Sequence, residues 1–228
     1  FENKRMSTNF VEPDGSYYRN PNFGKIDPDT GNKIPLFNDT EWYWRTRLLN
    51  ATQEETVEIW DMLLNPKNYG LLDRDLTENE TTEIQRMLCK IDRVYLSQVV
   101  IGDDPESKWH LILTNKWLYE RCREHERNPD GHLDLWPRGH FKSSIAVKLS
   151  IIQEHLINPT LTVCLIGYEK SFGEATIKFI RGVYEYNNTL KTLFPEIFYE
   201  NPSKEARTGH WTSDQIYLKP NAENSFPS

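Results

Sequence analysis

The stretch Trp136-Pro137-Arg138-Gly139-His140-Phe141-Lys142-Ser143-Ser144 stands between two segments of different rhythm. Before it, His132-Leu133-Asp134-Leu135-Trp136 is short, follows the turn signal Asn128-Pro129-Asp130-Gly131 and ends at Pro137, as a strand entering a loop does. After it, residues 143–156 carry Ile145, Val147, Leu149, Ile151, Ile152 and Leu156 and meet the stop Asn158-Pro159, which predicts a helix. Farther on, Leu161-Thr162-Val163-Cys164-Leu165-Ile166-Gly167 is a continuous apolar, β-branched run, the pattern of a strand buried on both faces. Residues 174–186, through Ala175, Ile177, Phe179, Ile180, Val183 and Tyr184, predict another helix, and Gln215-Ile216-Tyr217-Leu218 a further short strand. Strand, loop, helix, strand, helix is a βαβ unit, so the expected fold class is α/β, a parallel sheet with flanking helices.

A loop that binds phosphate at such a junction needs inward-facing backbone amides at a helix N-terminus, a Lys to reach the phosphates and a neighbouring hydroxyl for Mg²⁺. Lys142 and Ser143 supply the last two. The pattern G-x-x-x-x-G-K-[ST] is not met, because Trp136 and Phe141 occupy its two glycine positions and Gly139 alone provides a permissive backbone. A surface turn that happens to contain Lys-Ser-Ser fits the same residues, and the basic pair Arg138 and Lys142 in one loop balances the two readings.

Upstream, residues 1–38 are rich in Asn, Pro, Gly, Asp and Tyr without an apolar period and read as a polar arm or loop. Asp27-Pro28-Asp29-Thr30-Gly31-Asn32 imitates the start of a calcium loop, but Gly31, Asn32 and Asn38 hold positions that require an oxygen ligand, Gly and Glu, so a turn is expected. Residues 39–127 read as a helical region. Thr40 precedes Glu41-Trp42-Tyr43-Trp44, and Thr52 and Glu55 have capping-box spacing ahead of Ile59, Trp60, Leu63 and Leu64, with a stop at Asn65-Pro66. Thr77 and Glu80 repeat that spacing before one long helix whose stripe is Ile84, Met87, Leu88, Ile91, Val94, Tyr95 and Gln98, ending near Gly102. A fourth helix, about 109–126, carries Leu111, Leu113, Trp117, Leu118 and Cys122 as core positions. Residues 128–228 then form the first part of the α/β domain.

The whole chain has 228 residues, 37% apolar, with 34 acidic and 27 basic side chains and a net charge of −7. At about 100–200 residues per domain, that length suggests one domain and a sizeable extra piece. No run reaches the ~18 apolar residues of a membrane span, and nothing near Phe1 reads as a secretory signal. A global basic footprint for nucleic acid is absent, although net charge says nothing about a local groove. Three cysteines, Cys89, Cys122 and Cys164, without CxxC spacing argue against a zinc site or disulfide framework and for a reducing compartment.

Pro-Arg-Gly-His-x-Lys-Ser-Ser at 137–144 resembles the divergent Walker A loop of the large terminase subunits of tailed bacteriophages. Asn187-Asn188-Thr189-Leu190-Lys191-Thr192-Leu193-Phe194-Pro195-Glu196, Trp211-Thr212-Ser213-Asp214-Gln215-Ile216 and the pair Trp109-His110 are similar to further segments of that family, so that the likeness covers about residues 95–219. The resemblance implies a P-loop NTPase-type α/β fold and the N-terminal part of an ATPase motor that drives double-stranded DNA through a portal protein into a procapsid in the host cytoplasm. Its partners would be a small terminase subunit and copies of itself in a ring on the portal. It implies that Pro137, Arg138, Gly139, His140, Phe141, Lys142, Ser143 and Ser144 line the nucleotide site. Arg138 and Lys142 would lie on the phosphates of ATP, the amides of 139–143 around the β-phosphate, and Ser143 on Mg²⁺. Arg138 as the structural partner of an acidic residue stays open, and His140 has no assigned catalytic role. Family members read adenine with a Gln upstream of the loop, for which Gln98 is the candidate. Hydrolysis also needs an apolar strand ending in Asp-Glu. Leu165-Ile166-Gly167-Tyr168-Glu169 lies on the wrong strand for it, so the acidic strand and the family's nuclease domain are expected beyond Ser228. This chain alone is then expected to bind nucleotide weakly and not to turn it over. Two alternatives are a non-catalytic helical adaptor with a degenerate loop and another P-loop DNA motor such as a helicase.

Overall fold

The computed structural model describes residues 41–101, 108–128, 135–137, 139–166, 169–206, 211–212 and 215–219. The expected arm 1–38 and its calcium-like turn therefore lie outside the described residues. The chain forms two compact units, Phe1–Ile84 and Gln85–Ser228.

In the first unit, helix α1 (Glu41–Asn50) buries Tyr43, Trp44 and Leu48. Helix α2 (Gln53–Leu64) begins at the expected capping box. Glu55 N donates to Thr52 Oγ1 at 3.2 Å while Thr52 N donates to Glu55 Oε2 at 2.8 Å, so two amides that a helix start leaves over are satisfied reciprocally. Its stripe Ile59, Trp60 and Leu63 is buried, and each such side chain contributes about 1.5–3 kcal/mol of burial. It stops at Asn65, and Pro66–Tyr69 follow as one 3₁₀ turn closed by Gly70 at φ 68°. Helix α3 (Glu78–Ile91) starts as its spacing predicts, with Thr77 N on Glu80 Oε2 at 2.8 Å and Glu80 N on Thr77 Oγ1 at 3.3 Å.

The long helix expected through to Gly102 is two helices. Asp92 breaks it: its Oδ1 accepts from Val94 N at 2.9 Å and Tyr95 N at 3.1 Å, which makes it the N-cap of α4 (Arg93–Ile101). The helix expected at 109–126 is likewise interrupted. A 3₁₀ turn (Lys108–His110) and α5 (Leu111–Thr114) end at Asn115, whose side chain accepts from Leu118 N and starts α6 (Lys116–Arg127).

The α6 face built from Leu118, Tyr119, Cys122, Arg123, His125 and Glu126 is buried. Arg123 spans Asp92 (Nη1 to Oδ1 2.8 Å, Nη2 to Oδ2 3.2 Å) and Glu126 (2.9 Å), all three without exposed side-chain surface to speak of. Glu126 also accepts from Arg93 N at 2.6 Å, Arg93 Nε donates to Gln153 Oε1 at 3.0 Å, and Gln153 Nε2 donates to Lys90 O at 3.0 Å. Satisfied at so many points, this buried charge cluster, all of it within the second unit, ties α4, α6 and the last turn of α3 at Lys90 to the helix that follows the Lys-Ser-Ser loop.

That helix, expected at 143–156, opens as a π-helical segment (Ser143–Leu149) and continues as α7 (Ser150–Ile157) to Asn158. Ser150 Oγ donates at the junction to Ile145 O (3.2 Å) and Ala146 O (3.1 Å), carbonyls that the wider turn offsets from the ordinary ladder. Helix α8 (Lys170–Tyr186) begins four residues earlier than its stripe suggested, and α9 (Asn188–Leu193) follows at once. Asn187 caps α9 through Leu190 N at 2.8 Å and donates its amide to Val99 O (2.8 Å) and Val100 O (3.2 Å) at the end of α4. Leu190, Leu193 and Phe194 are buried, and a last short helix, α10, spans Pro202–Glu205.

The expected parallel sheet is not there. Among the described residues 70% are helical and 1% strand, the latter being one isolated antiparallel bridge between Trp211 and Ile216. Residues 161–166 run without regular hydrogen bonding, with Val163 38% and Ile166 94% exposed, so the run expected to be buried on both faces is an open edge. Gln215-Ile216-Tyr217-Leu218 contributes only the bridge. Of the first expected strand, residues 132–134 lie outside the described residues and Leu135 is exposed. A β-branched run favours extended backbone, but a strand exists only where a second strand takes up its N–H and C=O groups. An α/β architecture is thus replaced by helices packed on helices. No helix among the described residues is long and apolar enough to cross a membrane.

Candidate phosphate-binding loop

Residues 139–142 lead directly into the π-helical segment, and Ile145 N donates to Phe141 O at 2.9 Å as the first turn closes. The amides ahead of it belong to the first turn, which the helical ladder does not use. Gly139 has φ 80°, where a glycine is at ease, and Phe141 has φ 60°, where an L-residue is strained. Gly139 and Phe141 are left-handed and Lys142 is right-handed, and a left-handed residue next to a right-handed one turns successive amides to one side, a concavity that favours an anion. A pocket of about 430 Å³ opens there, lined by Trp136, Pro137 and residues 139–144. Its size suits a phosphate chain, and its donor set of amides, Lys142 Nζ and the hydroxyls of Ser143 and Ser144 suits phosphate oxygens. Lys142 is exposed and Ser143 half-buried. Ser143 is the hydroxyl adjacent to the Lys that would hold Mg²⁺, an ion that keeps several waters and few protein ligands beside nucleotide phosphates.

The expected site residues are thus partly brought together. Pro137, Gly139, His140, Phe141, Lys142, Ser143 and Ser144 share the pocket, while Arg138 lies outside the described residues. Gln98 is half-buried on α4 with Nε2 on Ser97 Oγ at 2.7 Å, a bond within its own helix. His140 has a packing role: its ring meets that of Trp117 edge-on at 5.7 Å. Trp117 also meets Trp136 at 5.2 Å, and His125 meets Trp136 at 5.6 Å. Trp117 was expected in the core, yet it is 38% exposed. The readable signal is its place on α6, off the stripe of Leu118, Tyr119, Cys122 and His125, where an aromatic on a highly charged helix calls for a local partner.

Around the π segment, Lys148 Nζ lies 4.2 Å from the centre of the Phe179 ring, which stacks on Trp109 at 5.1 Å and 18°. Burial holds the Lys148 ammonium below its ordinary pKa. His155, on α7, is hydrogen-bonded through Nδ1 to the Tyr184 hydroxyl at 2.8 Å, and burial lowers its pKa to about 4. No family model, curated protein or solved structure matches the chain.

Proposed function

We propose that residues 137–144 bind the phosphates of ATP and that the chain is the N-terminal ATPase portion of a terminase large subunit, translocating double-stranded viral DNA into a procapsid. The observation that carries the nucleotide reading is local. Phe141 sits at φ 60° in the position where the phosphate-loop pattern demands glycine, directly before Lys142 and Ser143 at a helix start. Strain of that kind persists where the surroundings impose it, and it gathers at ligand clamps. With the backbone left-handed at that residue, the loop needs no glycine side-chain vacancy, only a Phe ring turned away from the anion.

In this reading Lys142 neutralises phosphate charge, the amides of 139–143 orient the phosphate chain, and Ser143 holds Mg²⁺ against it. ATP with its Mg²⁺ supplies the phosphoryl group whose transfer to water drives the motor. The chain's own part is positioning and charge stabilisation. Arg138 adds a second cation to the loop by sequence. The DNA, the portal protein, the small subunit and a ring of copies enter through the resemblance at 95–219. The loop works here from a helix packed on helices instead of from a sheet edge.

Calorimetric titration with MgATPγS tests the site. The wild type should bind and Lys142→Ala should bind at least about tenfold more weakly, a change of about 1.4 kcal/mol. Equal, negligible binding by both would sink the nucleotide reading. It would favour a helical adaptor, a second reading that the predominantly helical, sheet-free described residues support. ATP-dependent assembly on a portal ring is the further test of the motor reading, and a helicase would separate strands instead.

A further inference from the structure

Trp117 is the residue whose placement the nucleotide reading does not explain. It is exposed, so it adds little to the core, and its ring is nevertheless engaged twice, edge-on to Trp136 at 5.2 Å and 70° and edge-on to His140 at 5.7 Å and 84°. Those two residues bracket the first half of the loop. The helix that carries Trp117 is held rigidly by the buried Arg123, which is bonded to Asp92 and Glu126. His125, on the buried side of the same helix, backs Trp136 at 5.6 Å. One ring on a fixed helix therefore touches both ends of a five-residue span, 136–140, whose continuation contains the strained Phe141. Left-handed backbone at a Phe reverts to an ordinary conformation unless something outside the loop sets the loop's end points. Edge-to-face aromatic pairs have a preferred geometry and so can set them.

We propose that Trp117 is a positioning residue of the phosphate loop: it clamps Trp136 and His140 and thereby holds Gly139 and Phe141 in the conformation that turns the amides to one side. The proposal rests on the phosphate-binding reading for its consequence, but the clamp itself has a separate readout. The full chain is compared as wild type, Trp117→Ala and Trp117→Phe in three measurements: affinity for MgATPγS by calorimetry, the rate of tryptic cleavage after Lys142 followed by mass spectrometry, and thermal melting by circular dichroism.

Trp117→Ala should weaken MgATPγS binding about tenfold and speed cleavage after Lys142 by a similar factor, with Tm lowered by no more than a few degrees because the side chain is exposed. Trp117→Phe keeps an edge-to-face partner and should restore both to within about threefold of wild type. Unchanged cleavage and unchanged affinity in Trp117→Ala overturn the clamp. So does a large loss of Tm that Trp117→Phe does not rescue, since that would make the ring a general packing group. If no variant binds MgATPγS while Trp117→Ala still speeds cleavage and Trp117→Phe reverses it, the clamp stands and the nucleotide reading falls.

Discussion

At Phe141 a single backbone angle separates two kinds of residue. With φ 60°, an L side chain is disfavoured by about 1–2 kcal/mol, and a β-branched one is worse because its second γ-substituent crowds the carbonyl. Phe141→Gly should therefore keep MgATPγS affinity within about threefold of wild type or improve it, whereas Phe141→Val should lose about tenfold or more. Calorimetry on the pair decides it; a Val variant that binds as well as the Gly variant would mean that the left-handed backbone is irrelevant to the site. The sequence showed that the glycine pattern was broken at this position. It could not show that the backbone kept the glycine geometry, because φ at one residue is set by where the loop's ends are tied. His140 is similar. The sequence favoured a surface or packing role for it without naming a partner, and that partner is Trp117, 23 positions away in the chain.

The helices were legible wherever their signals were local. Thr52 with Glu55 and Thr77 with Glu80 cap the helices their spacing announced, and Asn65 and Asn158 end the helices before Pro66 and Pro159. Two breaks escaped, at Asp92 and Asn115, because a polar residue on a long apolar stripe looks solvated until its partner is known. For Asp92 the partner is Arg123, 31 residues on. Asp92→Ala removes the cap of α4 and leaves Arg123 buried with half its carboxylates, so it should cost roughly 3–5 kcal/mol, the range for stripping one member from a buried pair. Denaturant unfolding at constant m-value is the measurement, and a loss under about 1 kcal/mol would show that the cluster is not buried as described. The extended run 161–166 is the opposite case. Its composition favours a strand, yet it lies along a groove of about 690 Å³ with α8 and residues 215–218 on its walls and no ladder beside it.

For the molecule as a whole, acid stability should follow His155. Burial beside Tyr184 lowers its pKa to about 4 in the folded chain, against about 6.5 when unfolded. The unfolded chain then binds more protons than the folded one between those values, so stability rises with pH across the window and is lost as pH falls from about 6.5 to about 4. The amount is on the order of 3 kcal/mol, and it is fully present above the upper limit. Thermal melting of wild type and His155→Gln from pH 7.5 to 4 checks it: the wild type should fall more steeply below about pH 6.5, and parallel curves would reject His155 as the cause.

Read alone, the chain established its capped helices, the loop at 136–144 with its Lys-Ser-Ser, and the absence of an 18-residue apolar span, since each is a property of residues within a few positions of one another. A helix closes its hydrogen bonds inside its own segment, four residues apart, and so announces itself in order along the sequence. Three matters waited on the tertiary structure: that the apolar run 161–166 finds no strand partner among the described residues, that Asp92 meets Arg123, and that Trp117 meets both Trp136 and His140. Each depends on a partner distant in the chain, and no local propensity encodes which distant group arrives.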